Sequence, residues 1–162
     1  MKKIRLIELF AGVGSQASAL KRIQADFEPY KISEWEINAV KSYKEIHSTD
    51  DFDYAKGKTE QELNDALIKY GISNDGKEPL SEQKIKNKKL SEKQEIYNVF
   101  KQSNNLGSIT NIKGHELGIV DTDSFTYLLT YLLISLPRFV YSWKKKGNEQ
   151  GGEHSKWFIV GS

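Results

Sequence analysis

The 162-residue chain contains no cysteine. A thiol is the most easily ionised side-chain nucleophile near neutral pH, so covalent chemistry through a thiolate is excluded for the chain as written. A dominant charge sign is missing too: 24 Lys and Arg stand against 22 Asp and Glu, a net charge of +2. There is no overall electrostatic footprint for nucleic acid, and any such surface has to be local. No apolar stretch is long enough to span a membrane. The longest, near residues 127–140, is broken by Thr130, Ser135, Pro137 and Arg138. No secretory signal is visible, which makes the cytoplasm the expected location. His47 and His115 lack metal-ligand spacing, so no metal site is expected. The Gly-x-x-x-x-Gly-Lys of an ATP loop is absent, and no internal repeat is found. With 38% hydrophobic residues the chain can build one modest core.

What is present is concentrated at the start. Ile4, Leu6, Ile7, Leu9 and Phe10 form an apolar run that ends in Ala11, Gly12, Gly14 and Ser15. A helical pattern follows in Ala17, Ala19, Leu20 and Ile23. This is strand, glycine turn and helix, the opening of an α/β unit. Glycine lets backbone approach a ligand closely, and the helix behind it points unpaired N–H groups over the turn. Plain strand–helix packing uses the same residues, so the turn alone decides little. Ile32-Ser33-Glu34-Trp35-Glu36 reads as a second strand ending in an acid, and Glu34 lies 20 residues after Gly14. In nucleotide-binding α/β folds an acid at that distance reaches ribose hydroxyls, because a carboxylate accepts two hydrogen bonds at once. Trp35 offers a flat face for an adenine ring.

The middle of the chain reads as helices. Thr59 and Glu62 have capping-box spacing ahead of Leu63, Ala66, Leu67 and Tyr70, and Gly71 stops the pattern. Residues 73–79 carry turn chemistry. A second helix starts at Ser91-Glu92-Lys93-Gln94 and carries Ile96, Val99 and Phe100. Lys84, Lys86, Lys88 and Lys89 could meet phosphates or form a solvated face. Residues 50–104 are expected to be a helical insertion.

Leu9-Phe10-Ala11-Gly12-Val13-Gly14 resembles the first motif of the DNA cytosine-5 methyltransferases, and Glu34-Trp35 resembles the second. Leu106-Gly107-Ser108-Ile109 is similar to the third, usually Gly-Asp-Ile. The resemblance implies a Rossmann-like, S-adenosylmethionine-dependent methyltransferase fold, α/β in class and incomplete here, with strands near 3–10, 28–34, 106–110 and 125–133. It implies S-adenosylmethionine as cofactor and duplex DNA as partner, with methyl transfer to cytosine carbon 5. Phe10, Ala11, Gly12, Val13 and Gly14 would then line the cofactor. Glu34 would hold its ribose, Trp35 would stack on its adenine, and Ile109 would pack on the same ring. Ser108 stands where the family places an aspartate for the adenine amino group; a hydroxyl accepts there, but without the charge. A restriction-modification system, with a cognate restriction enzyme, is the expected setting.

The family attacks carbon 6 of a flipped cytosine with a cysteine in a Pro-Cys-Gln loop after the fourth strand. Here Phe125–Tyr131 leads instead into Leu132-Leu133-Ile134-Ser135-Leu136-Pro137. The residues 132–144 admit codons that, read one base later, spell Tyr-Ser-Phe-Pro-Cys-Gln-Asp-Leu-Ser-Ile-Ala-Gly, the family's catalytic loop. A frameshift between Leu128 and Leu132 is therefore expected. Residues 1–131 would be the N-terminal part of a catalytic domain, and 132–162 an out-of-frame tail. No catalytic residue can be named, because the cysteine is missing after Tyr131. Three readings follow: an inactive methyltransferase remnant, a cofactor-binding module or half of a split enzyme, and another Rossmann-like protein such as an NAD-binding oxidoreductase. Against the last, Ala17 occupies the place of the third glycine in Gly-x-Gly-x-x-Gly.

Overall fold

The structure is a computed structural model that describes residues 4–118 and the backbone of 126–130. The proposed frameshift and the tail 132–162 lie outside the described residues. The element order is β1 (Ile4–Leu9), α1 (Ser15–Arg22), β2 (Phe27–Ser33), α2 (Ile37–His47), α3 (Glu60–Tyr70), α4 (Glu82–Lys86), α5 (Leu90–Gln102), two 3-10 turns (Ile109–Asn111 and Gly114–Leu117) and β3 (Thr126–Thr130).

β1 is the centre of a parallel sheet ordered β2-β1-β3. Its Leu6, Ile7 and Leu9 are buried, as expected of a parallel strand covered on both faces, and Arg5 and Glu8 interrupt the apolar run. Ile4 pairs with Phe27 and Leu9 with Ser33. The register slips between Leu6 and Ile7, where Pro29 and Lys31 are their partners and Tyr30 is the extra residue. On the other side Arg5 to Leu9 pair with Thr126 to Thr130. The strand expected at 106–110 is not formed. An isolated parallel bridge joins Ile32 to Asn105, held by the Ile32 N–H on the Asn104 carbonyl (3.3 Å) and the Leu106 N–H on the Ile32 carbonyl (2.9 Å). Gly107, at φ +85°, then turns the chain away, and Ile109–Asn111 is a 3-10 turn. The order across the sheet is thus Asn105, β2, β1, β3.

The helices pack on themselves. Ile37 and Val40 of α2, Leu67 of α3, Ile72, Ile85 of α4, and Ile96 and Phe100 of α5 form one buried cluster. Tyr70 stacks on Phe100 at 4.9 Å. Burying a side chain of this size contributes roughly 1.5–3 kcal/mol. The Thr59–Glu62 capping box is made in both directions, Gly71 ends α3 in the left-handed conformation, and Ser81 caps α4. Helix α5 begins one residue earlier than its sequence pattern, at Leu90, with Lys89 as N-cap. Lys93 is fully buried there; its ammonium donates to Glu60 (2.6 Å) and to the Lys86 carbonyl (2.9 Å), tying α3, α4 and α5. The helix after the glycine turn is shorter than its pattern. It stops at Arg22, only Ala17 is buried, and Ile23 is exposed. Among the described residues no helix is long and apolar enough to cross a membrane.

Candidate functional site

The site forms where β1 and β2 end side by side. The Ala11 N–H donates to the Ser33 carbonyl (3.0 Å), extending the ladder one step past β1. The chain then reverses through three left-handed residues: Phe10 (φ +57°), Gly12 (φ +53°) and Gly14 (φ +79°). The Gly14 N–H closes the turn on the Ala11 carbonyl (2.8 Å). A side chain on Gly12 would meet nothing within 4 Å, so the turn leaves open space above it. Phe10 and Val13 flank that space with 53% and 52% of their surface exposed. An exposed phenylalanine and valine beside an open glycine turn form an apolar rim.

Glu34 follows β2 directly, and its carboxylate locks the rim. Oε2 accepts from the Gly12 N–H (2.8 Å), while Oε1 accepts from the N–H groups of Trp35 (2.8 Å) and Glu36 (2.9 Å). Oε1 is thereby fully used, and Oε2 retains acceptor capacity. Trp35 is half-buried beside it. Glu36 turns away from the rim and caps α2, accepting from Asn38 (2.9 Å) and Ala39 (2.7 Å).

The third segment reaches the same edge through polar side chains. Asn105 is buried and bonds Glu34 twice, accepting from its N–H (3.1 Å) and donating to its carbonyl (2.9 Å). Its Oδ1 also accepts from the Gly107 N–H (2.9 Å). Ser33 donates to the Gly107 carbonyl (2.9 Å). Ser108 is buried, with its hydroxyl 2.9 Å from that of Thr110 and its N–H on the Tyr70 carbonyl (2.7 Å). Ile109 is half-buried. A side chain at Gly107 would sit 2.3 Å from the Tyr70 carbonyl oxygen, so glycine is required for that approach.

Below the turn lies a set of residues that motif reading passed over. Glu8 is buried within β1; its Oε1 accepts from the Ala17 N–H (3.3 Å) and its Oε2 from the Tyr43 hydroxyl (3.0 Å). Burial pushes the Glu8 carboxyl above its usual range, against the hydrogen bonds from Tyr43, Ala17 and Gln16. Burial, and then the Glu8 charge, push the Tyr43 hydroxyl up. The Tyr43 ring lies 4.6 Å from that of His47, and His47 Nε2 lies 3.0 Å from the Val13 carbonyl. His47, read from sequence as standing alone, is thus a partner of the glycine turn. The available signals were an acid inside an apolar strand, and a tyrosine and histidine four residues apart on one helix face.

The model of the family described as C-5 cytosine-specific DNA methylase matches residues 4–72, which hold β1, the glycine turn, Glu34 and the residues beneath the turn. These residues are similar to a C-5 cytosine-specific DNA methylase domain. The orphan methyltransferase M.SssI of Spiroplasma monobiae is 33% identical over 130 residues, covering 78% of this chain and 33% of that protein. A match of that extent in a chain of this length necessarily runs through residues 50–104, so the helical segment has a counterpart there. The orphan methyltransferases M.Rho11sI of Bacillus phage rho11s (39% over 51 residues) and M.SPBetaI of Bacillus phage SPbeta (42% over 48 residues) cover 32% and 30% of the chain and 10% and 11% of their own lengths. The chain therefore spans about a third of one relative and a tenth of the others. These matches support the methylase resemblance and give no support to an NAD-binding oxidoreductase.

Proposed function

We propose that residues 1–131 are the cofactor-binding part of a DNA cytosine-5 methyltransferase, with S-adenosylmethionine as the cofactor. The observation that carries this is the open space over Gly12 bounded by Phe10, Val13 and the Glu34 carboxylate. The donor set suits the cofactor. Glu34 Oε2 keeps acceptor capacity for a ribose hydroxyl, Trp35 and Ile109 offer apolar faces for adenine, and Ala11–Gly14 give a turn that backbone can share with a ligand. The order Asn105, β2, β1, β3 is that of one half of a doubly wound nucleotide-binding sheet, which supports the Rossmann-like reading. S-adenosylmethionine, when bound, supplies the methyl group. This chain's own residues hold it: Glu34 orients the sugar while pinning the Gly12 N–H, and Asn105 fixes Glu34 from behind. Ser108 shares its hydroxyl with Thr110, so it serves an adenine amino group less well than the carboxylate it replaces.

The chain as written is proposed to be catalytically silent. It has no thiol to attack cytosine carbon 6, and a serine or threonine hydroxyl is hardly ionised at neutral pH. The frameshift before Leu132 accounts for the loss, and residues 132–162 are its out-of-frame product. Duplex DNA is the proposed partner of the intact enzyme. A restriction-modification setting with a cognate restriction enzyme is part of the same proposal, although the relatives above are named orphan methyltransferases. The helices of residues 50–104 are proposed as an insertion between the second and third motifs, and the cytoplasm as the location.

Calorimetric titration with S-adenosylmethionine tests the binding reading. Wild-type protein releases heat, while Glu34→Ala and Trp35→Ala each weaken binding by about tenfold or more. No heat at millimolar ligand overturns it. Methyl transfer to DNA by the 162-residue chain overturns the proposed silence. Sequencing the gene across the codons for Tyr127–Lys144 tests the frameshift: a single inserted or missing base, whose correction restores Pro-Cys-Gln after Tyr131, is the expected result.

A further inference from the structure

His47 ends α2, yet its ring sits under the glycine turn of another element. A carbonyl can only accept, so Nε2 carries the proton in the 3.0 Å contact with the Val13 oxygen. The ring fills the space beside Gly14: a side chain there would lie 2.3 Å from His47 Nε2 and 2.7 Å from Tyr43. The ring is itself held, resting on Tyr43, whose hydroxyl donates to Glu8, which accepts in turn from the first turn of α1 at Ala17. The glycine turn is therefore gripped at both ends, by His47 at Val13 and by Glu8 at Ala17.

We propose that His47 is a positioning residue that holds the glycine turn in its ligand-ready shape, by donating from Nε2 to the Val13 carbonyl while its ring supports Gly14. This rests on the reading of that turn as the cofactor cradle. Val13 lies on the apolar rim, so a shift of its peptide moves the rim. Burial and the nearby Lys21 charge favour the neutral imidazole, against the Val13 and Gly14 backbone contacts, which favour the charged one. Nδ1 is buried with no hydrogen-bond partner among the described residues. Lys21 of α1 adds positive charge nearby and donates to the Ile46 carbonyl (3.1 Å) next to His47. Glu8 of β1 is screened from the ring by Tyr43, to which it is bonded. Burial accordingly holds the His47 imidazole below its ordinary titration range.

The test is amide hydrogen exchange at Gly14, whose N–H closes the turn, measured by NMR on the full chain in wild type, His47→Ala and His47→Gln. Glutamine places an amide N–H near the position of Nε2. Loss of the bond speeds Gly14 exchange about tenfold in His47→Ala, and His47→Gln restores most of the protection. Wild-type exchange in His47→Ala, or equal exchange in both variants, overturns the proposal. If His47→Ala does not fold, His47→Phe takes its place, keeping a ring beside Gly14 without a donor: faster Gly14 exchange than in His47→Gln is expected, and equal exchange overturns the proposal. Calorimetry with S-adenosylmethionine runs beside it. A silent wild type removes the cofactor reading and leaves the exchange result to judge the grip. Where wild type binds, His47→Ala binds about tenfold more weakly, and equal affinity overturns the proposal.

Discussion

The glycine-turn end of the sheet and the helical segment α3–α5 are built by opposite rules. The helices are closed by near neighbours: Thr59 and Glu62 cap α3, Ser81 caps α4, and the apolar stripes meet in one cluster around Phe100. The turn is closed by distant residues. Gly12 is bonded by Glu34, 22 positions away, Glu34 by Asn105 at 71, and Val13 by His47 at 34. Apolar packing tolerates drift and repacking. A turn defined by a few directional bonds has one shape, which is what recognition of a polar, multi-part ligand demands. Lys93 brings the second rule into the helices, since a buried ammonium there needs Glu60 and the Lys86 carbonyl together.

Substitutions can break this contrast at either end. Phe100→Ala in the helical cluster loses about 3–5 kcal/mol of stability, read by denaturant unfolding. Gly14→Ala is the largest lesion at the turn. It combines the left-handed backbone with a 2.3 Å approach to His47, so about 3 kcal/mol or more is lost. Gly12→Ala sharpens the point: only the backbone penalty of about 1 kcal/mol applies, because the space is open. Asn105→Ala removes three hydrogen bonds and leaves buried backbone groups unpaired. A loss of about 2 kcal/mol is expected, with weaker S-adenosylmethionine binding although Asn105 itself sits behind Glu34. Thr59→Ala costs about 1 kcal/mol and leaves cofactor binding unchanged.

The smallest effect is in pH. The folded-state pKa of His47 is lowered, so the unfolded chain takes up its proton first, near pH 6.5, and stability falls as pH drops from there toward the folded value. Glu8, raised by burial, has the opposite sign: it takes up its proton earlier in the folded state and offsets part of the loss at lower pH. Glu62, held at about 2 by Lys58 and Thr59, loses its contribution only as pH falls from the ordinary carboxylate range toward that value. Melting curves from pH 7 to 5 for wild type and His47→Gln isolate the imidazole: wild type loses stability more steeply than the variant. Parallel curves remove the assignment.

Much of this was legible in the chain of residues alone. The apolar run into Gly12 and Gly14 marked β1 and its turn, because glycine takes positive φ most readily and leaves backbone open. Thr59–Glu62 and Gly71 marked both ends of α3, because caps act within a few residues. The reading failed at residues 106–110, where a strand was expected and one bridge at Asn105 is found. Gly107 must press on the Tyr70 carbonyl, which turns the chain before a strand can form. It also passed over Asn105, Tyr43 and Glu8 and read His47 as alone; beyond the Tyr43–His47 spacing, their partners lie far off in sequence.

The sequence by itself determined where strands, caps and glycine turns fall and which acids and aromatics stand near them, because those properties depend on spacing within one segment. Only the tertiary structure decided that Glu34 pins Gly12, that Asn105 holds Glu34, and that His47 grips Val13. These bonds depend on the register of β2 against β1 and on how α2 lies below the turn, and a difference of a few ångströms in either would unmake them.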